Sequence, residues 1–193
     1  HHDKIVLYQE CFRDTSATDY VMDGRKPAGE VELPQMLRYG LDFIGDEKPF
    51  FVMCEQGPID WAPHLNRVLP MVNAVIEFDD AIKVAYEFYL EHPDETLIVV
   101  TADHGTGGVA LGAGGWGRDR IYWDKIEQAW NDAGQCNDLD GATNKALNDA
   151  ATIGWTTVYH TGENVPVYAI GKGAERFGGK IDNTEIKNKL LAL

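Results

Sequence analysis

The sequence predicts an α/β fold, a partial doubly wound sheet with flanking helices. Two unbroken apolar runs, Pro49–Cys54 (PFFVMC) and Thr96–Thr101 (TLIVVT), each stop abruptly at polar or turn-forming residues. Between them Met71, Val75, Phe78, Ile82, Ala85 and Tyr89 recur at steps of four and three, the stripe of a long helix. Runs without polar alternation fit strands buried on both faces, as in a parallel sheet. Strand, long helix and strand then form one βαβ unit.

The remaining elements follow in chain order. Lys4–Tyr8 (KIVLY) reads as a short strand with no start signal before it, so further chain is expected upstream. Residues 13–34 are polar and rich in turn formers, hence loop. Pro34–Ile44 carries Met36, Leu37, Leu41 and Ile44 at the spacing of a short amphipathic helix. His92-Pro93-Asp94 ends the long helix. Residues 107–120 are glycine-rich and read as loop, and Tyr122–Ala133 and Ala142–Ala151 read as helices. Residues 107–152 are therefore expected to form an insertion of loop and helix. Val165–Ile170 (VPVYAI) is a third strand, and Asn183–Leu193 is a closing helix. Without repeats or a linker, residues 1–193 read as a single domain.

Composition narrows the function. The chain has 193 residues, 44% hydrophobic and 25% charged, an ordinary globular balance. Its 31 acidic and 17 basic side chains leave a net charge of −14. Nucleic-acid backbones and anionic membranes reward clustered Lys and Arg, so neither is expected as the main partner. A phosphate substrate is still allowed, because bound cations reverse the local field. No apolar run approaches the ~20 residues of a membrane span. His1 and His2 read as a tag remnant or simply the first residues. Cys11, Cys54 and Cys136 make no disulfide framework and no C-x-x-C site. Cys54, inside an apolar run, reads as a small buried hydrophobe. The disulfide state of Cys11 and Cys136 is left open.

Chemistry is expected at the carboxyl ends of the strands, where open α/β sheets bind ligands. Asp60 and His64 are four apart, so one helical turn puts both on one face, a half-site for Zn²⁺. Pro63 is tolerated if that turn starts near Asp60. Read alone, the pair is equally a helix cap beside an incidental histidine. Asp103-His104 follows TLIVVT and reads either as two ligands on a turn or as a capping Asp with a chance neighbour. His160, ahead of the third strand, reads either as a ligand or as a satisfied polar group. Three of the four histidines beyond the N-terminus thus sit beside core strands, and one shared metal site accounts for them together. His92 belongs to the helix-ending turn.

Here a family resemblance enters. Glu55-Gln-Gly-Pro-Ile-Asp60-Trp-Ala-Pro-His64 resembles the E-G-x-x-I-D-x-x-x-H motif of alkaline phosphatases. Thr101-Ala-Asp-His-Gly-Thr-Gly-Gly108 resembles their T-A-D-H-x-T-G-G motif, and His160-Thr-Gly-Glu-Asn-Val-Pro-Val167 their H-T-x-x-x-V-P-V segment. Gln56 stands where the family usually has glycine. The resemblance implies that Asp60, His64 and His160 hold one Zn²⁺, that Asp103 and His104 hold a second, and that Glu55 is a Mg²⁺ ligand. It places Trp61 toward the substrate phosphate. Two such cations about 4 Å apart can clamp the entering and leaving oxygens of a phosphoryl displacement. An all-oxygen site around Glu55 suits the harder ion.

The same resemblance implies hydrolysis of phosphate monoesters in a periplasmic or secreted setting, and it admits a homodimer. It also implies a phosphorylated serine, a phosphate-gripping arginine and a metal-bridging aspartate, all upstream of Glu55. Asp14-Thr-Ser16-Ala-Thr18 only faintly echoes the nucleophile segment, so no catalytic residue is assigned here. The expectation is the C-terminal portion of such an enzyme, with the N-terminal half as its partner and no turnover alone. The alternatives are another metal-dependent member of the superfamily, such as a phosphodiesterase or mutase, and a non-catalytic metal-binding short form.

Overall fold

The computed structural model describes residues 31–45, 47–112 and 152–192, with positions 124, 127, 128, 131, 145, 146, 148 and 149. The expected strand Lys4–Tyr8, Ser16, Cys11 and Cys136 lie outside the described residues.

Helix α1 (Leu33–Ile44) forms where the spacing predicts it. Pro34 sits in its first turn, where a missing N–H costs little. Gln35 Oε1 accepts from the Glu32 N–H, and Gly45, at φ 69°, ends the helix. Helix α2 (Pro58–His64) starts two residues before Asp60, which puts Pro63 inside it. The helix ends one residue later, and Leu65 N–H already turns back to the Ala62 carbonyl at 3.1 Å. Helix α3 (Val68–Glu91) is the long helix, closed by His92, whose N–H reaches the carbonyls of Phe88 and Tyr89.

The buried line of α3 is not the expected stripe. Pro70, Ala74, Ala81 and Val84 are buried, whereas Met71, Phe78, Ile82, Ala85 and Tyr89 are half-buried and Val75 is exposed. Small residues let α1 and α2 approach α3 closely, so the larger side chains flank the contact and do not point into it. Two polar ties complete the α1–α3 contact. Glu77 Oε1 accepts from the Leu33 N–H at 3.2 Å, and Arg38 pairs with Glu87 at 2.6 Å. The guanidinium keeps the Glu87 carboxyl below its usual range.

The described strands pair antiparallel. β1 (Leu97–Val100) pairs with β6 (Tyr168–Gly171), β2 (Gly105–Thr106) with β5 (His160–Thr161), and β3 (Val109–Leu111) with β4 (Ile153–Trp155). A short 3₁₀ turn (Ala174–Phe177) and helix α4 (Asn183–Leu191) follow. The mixed helix-and-strand class holds, but the βαβ unit does not. Residues 49–56 form no strand, and Phe51 and Met53 stand 74% and 79% exposed. An apolar run becomes a strand only where a neighbour supplies ladder hydrogen bonds, and among the described residues none does so here. Cys54 in this run is half-buried, and desolvation pushes its thiol upward. Strand β3 corrects the reading of residues 107–120 as all loop. Together with β4 it closes the base of the long excursion, whose described positions are helical and fall within the two expected helices.

Gly171 closes the β1–β6 ladder opposite Leu97 at φ 97°. A Cβ there would lie 2.1 Å from the Thr96 carbonyl oxygen. Gly171→Ala must therefore both adopt a disfavoured backbone and push a ladder residue aside. Its expected cost is roughly 2–5 kcal/mol of stability. A urea titration showing an unchanged midpoint would contradict the ladder geometry.

Candidate metal centre

Local structure brings the sequence-predicted histidines together. In α2 one turn separates Asp60 from His64, and His64 Nε2 lies 3.3 Å from Asp60 Oδ2. The β2–β5 register sets Thr106 opposite His160, which carries His160 Nε2 to 3.7 Å from Asp60 Oδ1. The turn after β1 supplies Asp103 and His104, with His104 Nε2 3.3 Å from Asp103 Oδ2. The His104 and His160 rings stack at 3.5 Å between centroids, and His64 and His160 lie at 5.1 Å. Five of the expected ligands thus form one continuous cluster.

The tightest group within it is Asp60, His104 and His160, whose ligand atoms lie within 4.8 Å of one another. His104 stands there where the resemblance puts His64, so His160 borders both expected zinc positions. Glu55 is exposed and lies outside that group. Trp61 is half-buried, with its ring turned back against Gly57; a Cβ on Gly57 would sit 2.8 Å from it. Close backbone approach in this segment therefore falls at Gly57, one residue after Gln56. Gln56 itself reaches α3, where Nε2 donates to Glu77 Oε2 at 2.8 Å.

Hydrogen bonds to the second ring nitrogens select the tautomers. A carbonyl oxygen can only accept, so His64 Nδ1 carries the proton and donates to Val158 C=O at 2.6 Å. His104 Nδ1 likewise faces the Gly105 carbonyl at 3.2 Å, with Thr106 Oγ1 at 3.3 Å. In the neutral imidazole each ring then keeps its Nε2 lone pair for the cluster, the arrangement a metal-ligating imidazole needs. Thr106 Oγ1 donates to Asp60 Oδ1 at 2.5 Å and orients the carboxylate. Glu163, three residues after His160, is kept below the usual carboxylate range by the Thr161 hydroxyl and its own backbone.

Thr106, the Val158 carbonyl and Glu163 were not singled out in the sequence. Thr106 was in plain view within T-A-D-H-x-T-G-G; a backbone carbonyl has no sequence signature at all. The donor set, imidazole nitrogens with carboxylate oxygens, fits Zn²⁺. Exposed acidic groups alone would not be informative, but imidazoles aimed by their other nitrogens are.

A family model described as "Alkaline phosphatase" matches residues 22–193. Alkaline phosphatase 3 of Bacillus subtilis (strain 168) is 35% identical over 189 residues, covering 77% of this chain and 41% of that protein. A solved cold-active alkaline phosphatase from a psychrophilic Shewanella superposes with a TM-score of 0.74 at 27% identity, covering 91% of this chain and 52% of that one. A TAB5 alkaline phosphatase variant with Mg bound in its M3 site superposes at 0.65 and 29% identity, covering 91% and 44%. The chain spans less than half the length of the curated relatives Alkaline phosphatase 3 and Alkaline phosphatase 4 of Bacillus subtilis.

Proposed function

The chain belongs to the alkaline phosphatase family, and from that membership we propose that its histidine–aspartate cluster is the metal centre for phosphate monoester hydrolysis. The supporting observation is the convergence of Asp60, His64, Asp103, His104 and His160 from helix α2, the turn after β1 and strand β5, with His64 and His104 presenting Nε2. Asp60, His64 and His160 would hold one Zn²⁺, and Asp103 and His104 the other. His160 lies close enough to His104 to share in either position. Glu55 is the proposed Mg²⁺ ligand, and Trp61 the proposed neighbour of the substrate phosphate.

When bound, zinc supplies an acidified hydroxyl and charge stabilisation at the leaving oxygen. The protein's own groups do the rest. Asp60 offers one oxygen toward His64 and the other toward His160, so a cation held between them would share one carboxylate with two imidazoles. Thr106 holds that carboxylate in place and removes a rotamer that would otherwise have to be ordered on binding. Val158 fixes the His64 ring plane.

We assign the nucleophilic serine to the portion of the relatives that this chain does not span. By this reading the chain binds zinc but needs that portion, as its partner, for turnover. The described helices include none long and apolar enough to cross a membrane. The family reading carries with it a periplasmic or secreted location and admits a homodimer.

Calorimetric titration of the chain with Zn²⁺ tests the centre. Binding well below millimolar is expected, with no hydrolysis of a simple phosphomonoester by the chain alone. Absence of any zinc binding tighter than millimolar would sink the reading. Turnover without a partner would instead return the nucleophile to this chain.

A further inference from the structure

The long excursion between β3 and β4 carries, near its end, a side chain that reaches the metal-ligand turn. Asn148 is only 8% exposed. Its Nδ2 donates to the Asn66 carbonyl at 2.8 Å, and its Oδ1 accepts from Trp155 Nε1 at 3.0 Å. Both ends of one buried amide are therefore used, one on the turn after α2 and one on β4. Such an amide specifies geometry, because moving either neighbour leaves a polar group unsatisfied.

Asn66 lies two residues after His64 and holds φ 51°. Asparagine adopts that conformation more readily than other non-glycine residues, and here its neighbours also hold it. With its amide nitrogen toward the chain, Asn66 donates to Thr157 C=O at 2.9 Å and Pro63 C=O at 3.0 Å. Thr157 is followed by Val158, whose carbonyl accepts from His64 Nδ1 at 2.6 Å. On the other side the Trp155 ring covers Gly107, where a Cβ would lie 2.7 Å from the ring and 3.1 Å from Pro63 Cβ. An unbroken line of contacts thus runs from Asn148 through Asn66 and the 157–158 backbone to the His64 ring.

We propose that Asn148 is a positioning residue for His64. The proposal rests on the reading of His64 as a zinc ligand given above. Its mechanism is local. The Asn148 amide pins the left-handed turn at Asn66, that turn holds the 157–158 backbone against α2, and the Val158 carbonyl then selects the Nδ1–H tautomer. Released from Val158, the ring would divide between tautomers and orientations, and Nε2 would face the cluster for only part of the time.

The test compares wild type with Asn148→Ala and Asn66→Gly. Glycine accepts the positive φ and keeps the carbonyl that Asn148 uses, so Asn66→Gly removes only the bridge to Thr157 and Pro63. Nitrogen-15 NMR of the metal-free chain at mildly alkaline pH reads the His64 tautomer, and calorimetry reads zinc affinity. The wild type should show Nδ1–H at His64. Each variant should show a tautomer mixture and about 10-fold weaker zinc binding, the lower end of the range for residues that orient a ligand. A merely structural Asn148 would lower thermal stability while leaving tautomer and affinity at wild-type values. That result in both variants overturns the proposal, and if Asn148→Ala does not fold, Asn66→Gly decides alone. A wild-type chain without zinc binding would instead defeat the metal-centre reading, while the tautomer comparison would still decide the role of Asn148.

Discussion

Asp60→Ala should remove most of the stabilisation that zinc confers on this chain while leaving the metal-free fold in place. Among the described residues, Asp60 is the one carboxylate that lies beside both neighbouring imidazoles, His64 at 3.3 Å and His160 at 3.7 Å. It also belongs to the tightest ligand group. Structural zinc sites of four ligands bind with about 10–16 kcal/mol, roughly 3 kcal/mol per ligand, or about 100-fold in affinity for the loss of one. At a zinc concentration 100 times the wild-type dissociation constant, stabilisation is about 2.7 kcal/mol; a 100-fold weaker site keeps about 0.4 kcal/mol. Thermal melts with and without zinc measure this difference directly. Asp60→Asn sharpens the result, because it preserves the shape and can still accept from Thr106 but carries no charge. It should fall between wild type and Asp60→Ala. If both variants keep the full zinc-induced shift, Asp60 is a helix-turn residue and not a ligand.

How much of this was legible beforehand differs by element. Helices α1, α3 and α4 were readable, because amphipathic spacing and the flanking Gly45, His92-Pro93 and Asp182 are local signals. Asp182 even accepts from the Thr184 N–H at 3.0 Å, the bond its side chain is suited to make. The buried line of α3 was misplaced by one position because hydrophobicity marks Met71, Val75 and Phe78, while close packing selects Ala74 and Ala81. Strand pairing was not readable. Leu97 and Gly171 are partners across more than seventy residues, and nothing local encodes that register or its antiparallel sense. Val109–Leu111 is too short, and too closely hemmed by glycine, to show a period of two.

The site was more legible than the sheet. Histidines and aspartates at strand ends and four apart on a turn are residue-type signals, and all but Glu55 converge. Their grouping was less accessible, since whether His64 or His104 stands nearest the Asp60–His160 pair depends on how two turns approach. The orienting groups were least accessible. The Val158 carbonyl acts through a backbone position that any residue could in principle supply, and Asn66 acts through a left-handed turn and an amide bridge whose partners lie far along the chain.

His160→Ala compared with His92→Ala separates a metal centre from a merely histidine-bearing surface. Both side chains are imidazoles next to another aromatic ring, so loss of stacking alone is similar: His92 lies 4.6 Å from Phe88, and His160 lies 3.5 Å from His104. They differ in what surrounds Nε2. His160 has Asp60 at 3.7 Å and sits between His64 and His104, whereas His92 closes α3 at the turn before β1. Removing His160 should therefore weaken zinc binding by about 100-fold, the share of one ligand. Removing His92 should leave affinity unchanged and act only on stability. Because His160 borders both proposed zinc positions, its loss should also lower the number of zinc ions bound, which equilibrium dialysis counts independently of affinity. Equal affinities and equal stoichiometries for the two variants would show that the cluster is not the metal site.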